Sequence, residues 1–262
     1  MTLPRVMGIV NVTPDSFSDG GQFASAAQAV EHALRLAEQG AHILDVGGES
    51  TRPGAEPVSA QDELHRVIPV IEGIRRRNAD IDISIDTTKA SVARAAVVAG
   101  ATMVNDVSAG RFDAEMLATV AELGVPYVAM HMQGAPGTMQ NDPHYDDVVA
   151  EVKDFLLERV ASAQSAGIKE VYVDVGIGFG KTIAHNLALL HHLGEFSSIG
   201  SGQLLGISRK RFIGTLAGID RPEDRDGVTA LLHAILLPAK VSIIRVHDVK
   251  RITELRKYGI TL

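Results

Sequence analysis

Eight times along this chain a short apolar run, mostly β-branched, stops at a polar residue or a glycine, and a stretch of helical periodicity follows. Runs this short and this continuously apolar read as strands buried on both faces, which is the character of a parallel sheet. The pattern predicts strands over Val6–Val12, His42–Val46, Asp82–Ile85, Thr102–Val104, Pro126–Ala129, Glu170–Val173, Gln203–Ile207 and Ser242–Ile244. Eight such units in 262 residues imply a single α/β domain over residues 1–262, a (β/α)8 TIM barrel, since barrels of this kind need roughly 250 residues. An open doubly wound sheet is the alternative. It needs fewer units and usually carries its glycine-rich loop after the first strand, whereas here Gly176–Gly180 follows the sixth.

The intervening segments carry helix punctuation. Ser25–Gln39 places Ala26, Val30, Ala33, Leu34 and Ala37 on one face and ends at Gly40. Ser59 with Asp62 has the form of an N-cap for a helix reaching about Arg76, with Pro69 inside it as an expected kink. Further helices are expected over Lys89–Ala99, Ala114–Leu123, Tyr145–Ala166, Ile183–Leu193, Asp226–Leu236 and Lys250–Lys257, with a long connection between the seventh strand and the helix at Asp226.

The polar residues that break the apolar runs all fall at C-terminal strand ends: Asn11, Thr51 with Arg52, Asp86, Asn105, Asp174, Ser208 with Lys210, and Arg245 with His247. Singly, an Asp in that position reads as the next helix's N-cap, and Arg, Lys or His as solvated surface. Asn11 either caps its own loop or faces a ligand, because an amide cannot sit unpaired in a core. Together they share the rim on which barrel active sites are built. Asp86, Asn105 and Asp174 form a carboxylate–amide–carboxylate set suited to a ring edge that offers two donors beside an acceptor. Lys210, Arg245 and His247, with Arg52 across the rim, form a local cationic set suited to an anion. The rest of the chain is acidic, with a formal net charge of −7 and no basic tract, which argues against nucleic acid as a partner.

There are no cysteines, so disulfide and thiol chemistry are excluded. No signal-peptide core opens the chain and no apolar run approaches 18 residues, so a cytoplasmic location with no membrane partner is expected. His131 and His144 flank a loop without zinc-site spacing and read as structural. In the first loop Asp15 and Asp19 read as turn formers, Asp15 alternatively as a group able to swing over the rim, and Phe17 as an anchor or part of a lid.

Eight segments in order resemble the pterin-binding enzymes. They are VMGIVNVTPDSFSDGG (Val6–Gly21), DVGGESTRPGA (Asp45–Ala55), SIDTTK (Ser84–Lys89), NDVSAG (Asn105–Gly110), MHMQGAPGTMQ (Met130–Gln140), DVGIGFGK (Asp174–Lys181), GISRKRFIG (Gly206–Gly214) and RVHDV (Arg245–Val249). The branch of the family they resemble joins 6-hydroxymethyl-7,8-dihydropterin diphosphate to 4-aminobenzoate in folate biosynthesis, releasing pyrophosphate. The resemblance implies a pterin held by Asp86, Asn105, Asp174 and Lys210, of which Asp86, Asp174 and Lys210 would be catalytic. It implies diphosphate binding by Asn11, Thr51, Arg245 and His247, with Mg²⁺ touching Asn11. It places 4-aminobenzoate near Thr51, Arg52, Pro53, Phe179 and Ser208, and implies a homodimer. Two departures stand out: Val175 replaces the family's usual proline after Asp174, which is expected to loosen that turn, and Pro238-Ala239-Lys240 replaces a glycine-bearing stretch. Two rivals remain. A pterin-dependent methyl transferase would not need Arg245, His247 or Ser208-Arg209-Lys210. A catalytically silent pterin-binding protein would lose Lys210 or the diphosphate ligands.

Overall fold

The computed structural model describes residues 4–12, 21–51 and 54–255. Eight parallel strands close into a barrel in sequential order. They are β1 (Arg5–Asn11), β2 (Ile43–Gly47), β3 (Asp82–Asp86), β4 (Met103–Asp106), β5 (Tyr127–Met130), β6 (Val171–Asp174), β7 (Gly202–Leu205) and β8 (Ile243–Val246). The ring is sealed where β8 pairs with β1, Arg5 opposite Ile243. The predicted barrel is therefore the observed one. All of the strands except β1 and β7 run one or two residues past their predicted ends, so Asp86, Asn105, Asp174 and Arg245 lie within strands instead of after them.

Helices α1 (Gly21–Glu38), α2 (Ala60–Arg77), α3 (Ala90–Val98), α4 (Met116–Leu123), α5 (Val148–Ala166), α6 (Ile183–His191), α7 (Arg211–Ala217), α8 (Asp226–Leu236) and α9 (Val249–Glu254) surround the barrel. Ser59 caps α2 as expected, its hydroxyl accepting from the Asp62 amide at 3.1 Å. The long connection expected after β7 contains a further helix that the sequence reading did not pick out, Arg211–Ala217, which is α7. Seven residues with Gly214 among them give too short a periodic signal to read.

The core divides by strand face. Outward residues such as Val6, Leu44, Ile85, Val104 and Val246 pack with the helices in one large cluster. Met7, Ile43, Met103, Val128, Leu204 and Ile243 point inward and, with Tyr172, form a separate plug that floors the barrel. Side chains alternate along a strand, so positions two residues further on also point inward, nearer the rim. On β2, β4, β6 and β8 those positions are Asp45, Asn105, Asp174 and Arg245. On β7 the corresponding residue is Gly206, which leaves that wall bare: a Cβ built there would lie 3.8 Å from Asp174 Oδ2. An apolar floor thus carries a polar chamber directly above it.

Candidate active site

The chamber is organised around Arg245. Its Nε donates to Asp45 Oδ2 at 2.6 Å and its Nη2 to Asp86 Oδ2 at 2.8 Å, so one guanidinium spans two carboxylates from β2 and β3. Asn105 Nδ2 donates to the same Asp45 oxygen at 3.3 Å. Burial and the neighbouring Asp45 charge push the Asp86 carboxyl up to about 7, against the opposing pull of Arg245. Asp174 is likewise raised by burial, with Lys210 pulling the other way. Burial lowers the Lys210 ammonium to about 8. Lys210 therefore carries its charge at neutral pH while Asp86 sits near its titration point.

Asp174 is fixed in spite of Val175. Its Oδ1 accepts from the Gly176 amide at 2.8 Å, closing a tight turn at the end of β6. Gly176 has φ +68°, and a Cβ there would meet the His131 carbonyl oxygen at 1.8 Å, so only glycine fits. The expected loosening at the missing proline is not what the structure holds: the carboxylate itself supplies the turn.

The loop after β6 folds onto the loop after β5. Lys181 Nζ, almost wholly buried, donates to His131 Nδ1 at 2.8 Å, to the Phe179 carbonyl at 3.0 Å and to the His131 carbonyl at 3.4 Å. Burial first, and the adjacent ammonium next, depress the His131 imidazole to about 2, so it stays a neutral acceptor. Gln140 Nε2 reaches the Gly178 carbonyl at 2.6 Å and Tyr145 Oη the Gly180 carbonyl at 2.8 Å. This clasp holds half-buried Phe179 in place, with Lys210 Nζ 4.7 Å from its ring centre and hydrogen-bonded to the Ile177 carbonyl. Val107, Met130, Met132 and Met139 form an apolar wall beside Phe179.

Ser208 and His247 meet on the β7–β8 side, Oγ to Nδ1 at 3.0 Å, and Ser208 Oγ also accepts from the His247 amide at 3.2 Å. Between Ser208 and Lys210, Arg209 adopts φ +60° and turns away from the chamber, paired with Asp226 at 2.8 and 2.7 Å. Asn11 ends β1, half-buried, with its register partner Gly47 on β2. Thr51 is half-buried at the edge of the described residues. Arg52 and Pro53, like Asp15, Phe17 and Asp19, lie outside the described residues.

The structure thus brings Asp86, Asn105, Asp174, Lys210 and Arg245 into one chamber. It places Arg245 among the carboxylates. Asp45 and Lys181 escaped the sequence reading as site residues. Asp45 sits inside an apolar strand and Lys181 behind a glycine-rich loop, and only barrel closure reveals their partners.

A buried acid–amide–cation set over an apolar floor, at the C-terminal rim of a parallel barrel, defines a barrel enzyme that holds a flat polar ring. The pterin binding enzyme family profile matches residues 7–247, and the chain belongs to that family. A dihydropteroate synthase of Escherichia coli is 47% identical over 253 residues, 96% of this chain and 89% of that protein. The dihydropteroate synthase of Xanthomonas albilineans, solved with 4-aminobenzoic acid, superposes with a TM-score of 0.91 at 50% identity, covering 98% of this chain and 92% of the other. The same protein in complex with 7,8-dihydropteroate gives a TM-score of 0.87 at 46% identity, covering 99% and 94%.

Proposed function

We propose that this chain condenses 6-hydroxymethyl-7,8-dihydropterin diphosphate with 4-aminobenzoate to give 7,8-dihydropteroate and pyrophosphate. The observation that carries this reading is the chamber in which Asp86, Asn105, Asp174, Lys210 and Arg245 converge, in a chain close to half identical, nearly end to end, to dihydropteroate synthases. The ring's amino and N–H donors face Asp174 and Asp86, and Asn105 completes the edge. Lys210 lies over the Phe179 ring, which supports a reading in which it contacts the pterin beside the aminobenzoate. Ser208, read as an aminobenzoate contact, and His247, read as a diphosphate contact, touch, which supports putting the two groups on one side of the pterin's CH₂ carbon.

In the reaction the C–O bond to diphosphate breaks, a C–N bond to the arylamine forms and the amine loses a proton. An arylamine is a weak nucleophile, and this reading gives departure of pyrophosphate first. Asp86 and Asp174 then stabilise the ring cation, a role in which preorganised charges contribute about 10²–10³ in rate each. Mg²⁺ suits the oxygen donors here, the Asn11 amide together with the substrate's own diphosphate, since this ion keeps few protein ligands. When bound it neutralises leaving-group charge. The helix pair α7 and α8 exposes apolar side chains that favour a homodimer.

A coupled pyrophosphate-release assay with both substrates tests the reading. Turnover is expected only when the pterin diphosphate, the aminobenzoate and Mg²⁺ are all present, and chelation should abolish it. No pyrophosphate with every component present would count against the condensation; unchanged turnover in chelator would remove the metal.

A further inference from the structure

We propose that Asp45 is a positioning residue for this reaction: it holds Arg245 between two carboxylates and orients the Asn105 amide, so that Asp86 and Asn105 meet the pterin in fixed geometry. The inference rests on the pterin-binding reading above. Asp45 is fully buried in the middle of β2, one inward step above the apolar floor. A carboxylate in that place has to be paired. Its Oδ2 takes both available donors, Arg245 Nε at 2.6 Å and Asn105 Nδ2 at 3.3 Å. Its other oxygen is buried with no hydrogen-bond partner, as is the hydroxyl of Ser84, its register partner on β3. Asp45 is therefore directed wholly at two residues that touch the ring site. Remove its charge and the Arg245 fork is anchored on Asp86 alone, where it competes with the ring for the same oxygens.

Asp45 also acts on Asp86 through space. The groups facing Asp86 are Asp45 from β2, Arg245 from β8, Glu63 from α2 and Asp106 from β4; among the carboxylates, Asp45 raises it most. Asp86 must be ionised to accept the ring's donors, so pterin affinity should fall as pH drops through the neutral region where it takes up its proton. Without the Asp45 charge that proton binds less tightly, and the acid limb moves to lower pH.

The test is Asp45→Asn, a change of charge at nearly constant shape, with steady-state kinetics from pH 5.5 to 8.5. The KM for the pterin diphosphate is expected to rise about ten- to a hundredfold at pH 8, the effect of losing one charge-assisted hydrogen bond. The KM for 4-aminobenzoate should change about twofold or less on the same scale. The acid limb of kcat/KM for the pterin should move down by about half a pH unit or more. A merely structural role would raise both KM values together and leave the limb in place, and that result overturns the proposal, as does wild-type behaviour. If Asp45→Asn does not fold, Arg245→Lys serves. A single ammonium cannot bridge both acids, so the limb should move up; an unmoved limb overturns the proposal. A wild-type protein that neither binds the pterin diphosphate nor turns over fails the functional reading, and the Asp45 assignment falls with it.

Discussion

At the scale of single residues, the site depends on which polar atoms face the ring without a protein partner to replace it. Asp174 illustrates this, because one oxygen is taken by the Gly176 amide and the other is turned toward the bare wall at Gly206. Asp174→Asn offers an N–H where the ring also donates, leaving buried donors unpaired at about 1–3 kcal/mol each. Titration calorimetry with a pterin lacking the diphosphate is expected to show about that loss in affinity. Unchanged affinity would mean that Asp174 serves the turn alone. This residue was legible in the sequence only in company: alone it reads as a helix N-cap, but it ends its apolar run as other polar residues end theirs, and a barrel gathers those ends on one rim. Asp86, Asn105 and Arg245 were legible for the same reason. Asp45 was not: in HILDV it interrupts the apolar run without ending it. Its partners Asn105 and Arg245 lie 60 and 200 residues away, and no local pattern encodes that distance.

At the scale of elements, two loop clasps convert a barrel rim into a rigid chamber. The loop after β2 is tied down by Lys89, whose ammonium sits 2.7 Å from Glu49 Oε2 and 2.6 Å from Glu63 Oε2. The loops after β5 and β6 are tied by Lys181, as described. Both lysines stand where a sequence reading sees only a charged residue near a helix start, which is why neither was anticipated. The Lys181 clasp leads to a prediction. Lys181→Met removes the donor that joins His131 to the Phe179 carbonyl while keeping the chain's length and apolar stem. Three acceptors lose their partner, and Phe179 with Lys210 above it loses its fixed position. The variant should lose about 2–4 kcal/mol of stability by urea denaturation. It should also lose affinity for 4-aminobenzoate more than for the pterin, because the proposed function sets the aminobenzoate against Phe179, whereas Asp174 is held separately by its own turn. Equal losses of the two affinities would place the clasp's effect on the whole fold and not on the loop.

At the scale of the whole molecule, the apolar residues near the C-terminus resolve into two faces. The sequence crowds Leu231, Leu232, Ile235, Leu236 and Leu237 together, and core burial competes with a partner surface as the explanation. The structure divides them: Leu232, Leu236 and Leu237 pack against the core, while Leu231 and Ile235 stand 58% and 62% exposed. These two are one helical turn apart on α8, and Leu216 on the adjoining α7 is 56% exposed. Burying a large apolar side chain fully contributes about 1.5–3 kcal/mol. About three-fifths of each is exposed, so three per protomer, doubled by a two-fold contact, give about 5–11 kcal/mol against an association cost of about 4–15. The patch is thus large enough to seed a dimer and too small to make one obligate. The expected mass by multi-angle light scattering at micromolar concentration is that of two chains. Leu231→Glu with Ile235→Glu should return it to one, because each interface would then bury four unpaired carboxylates. A monomer in the unaltered protein removes the homodimer, and a dimer that survives the double change moves its interface off this face of α8.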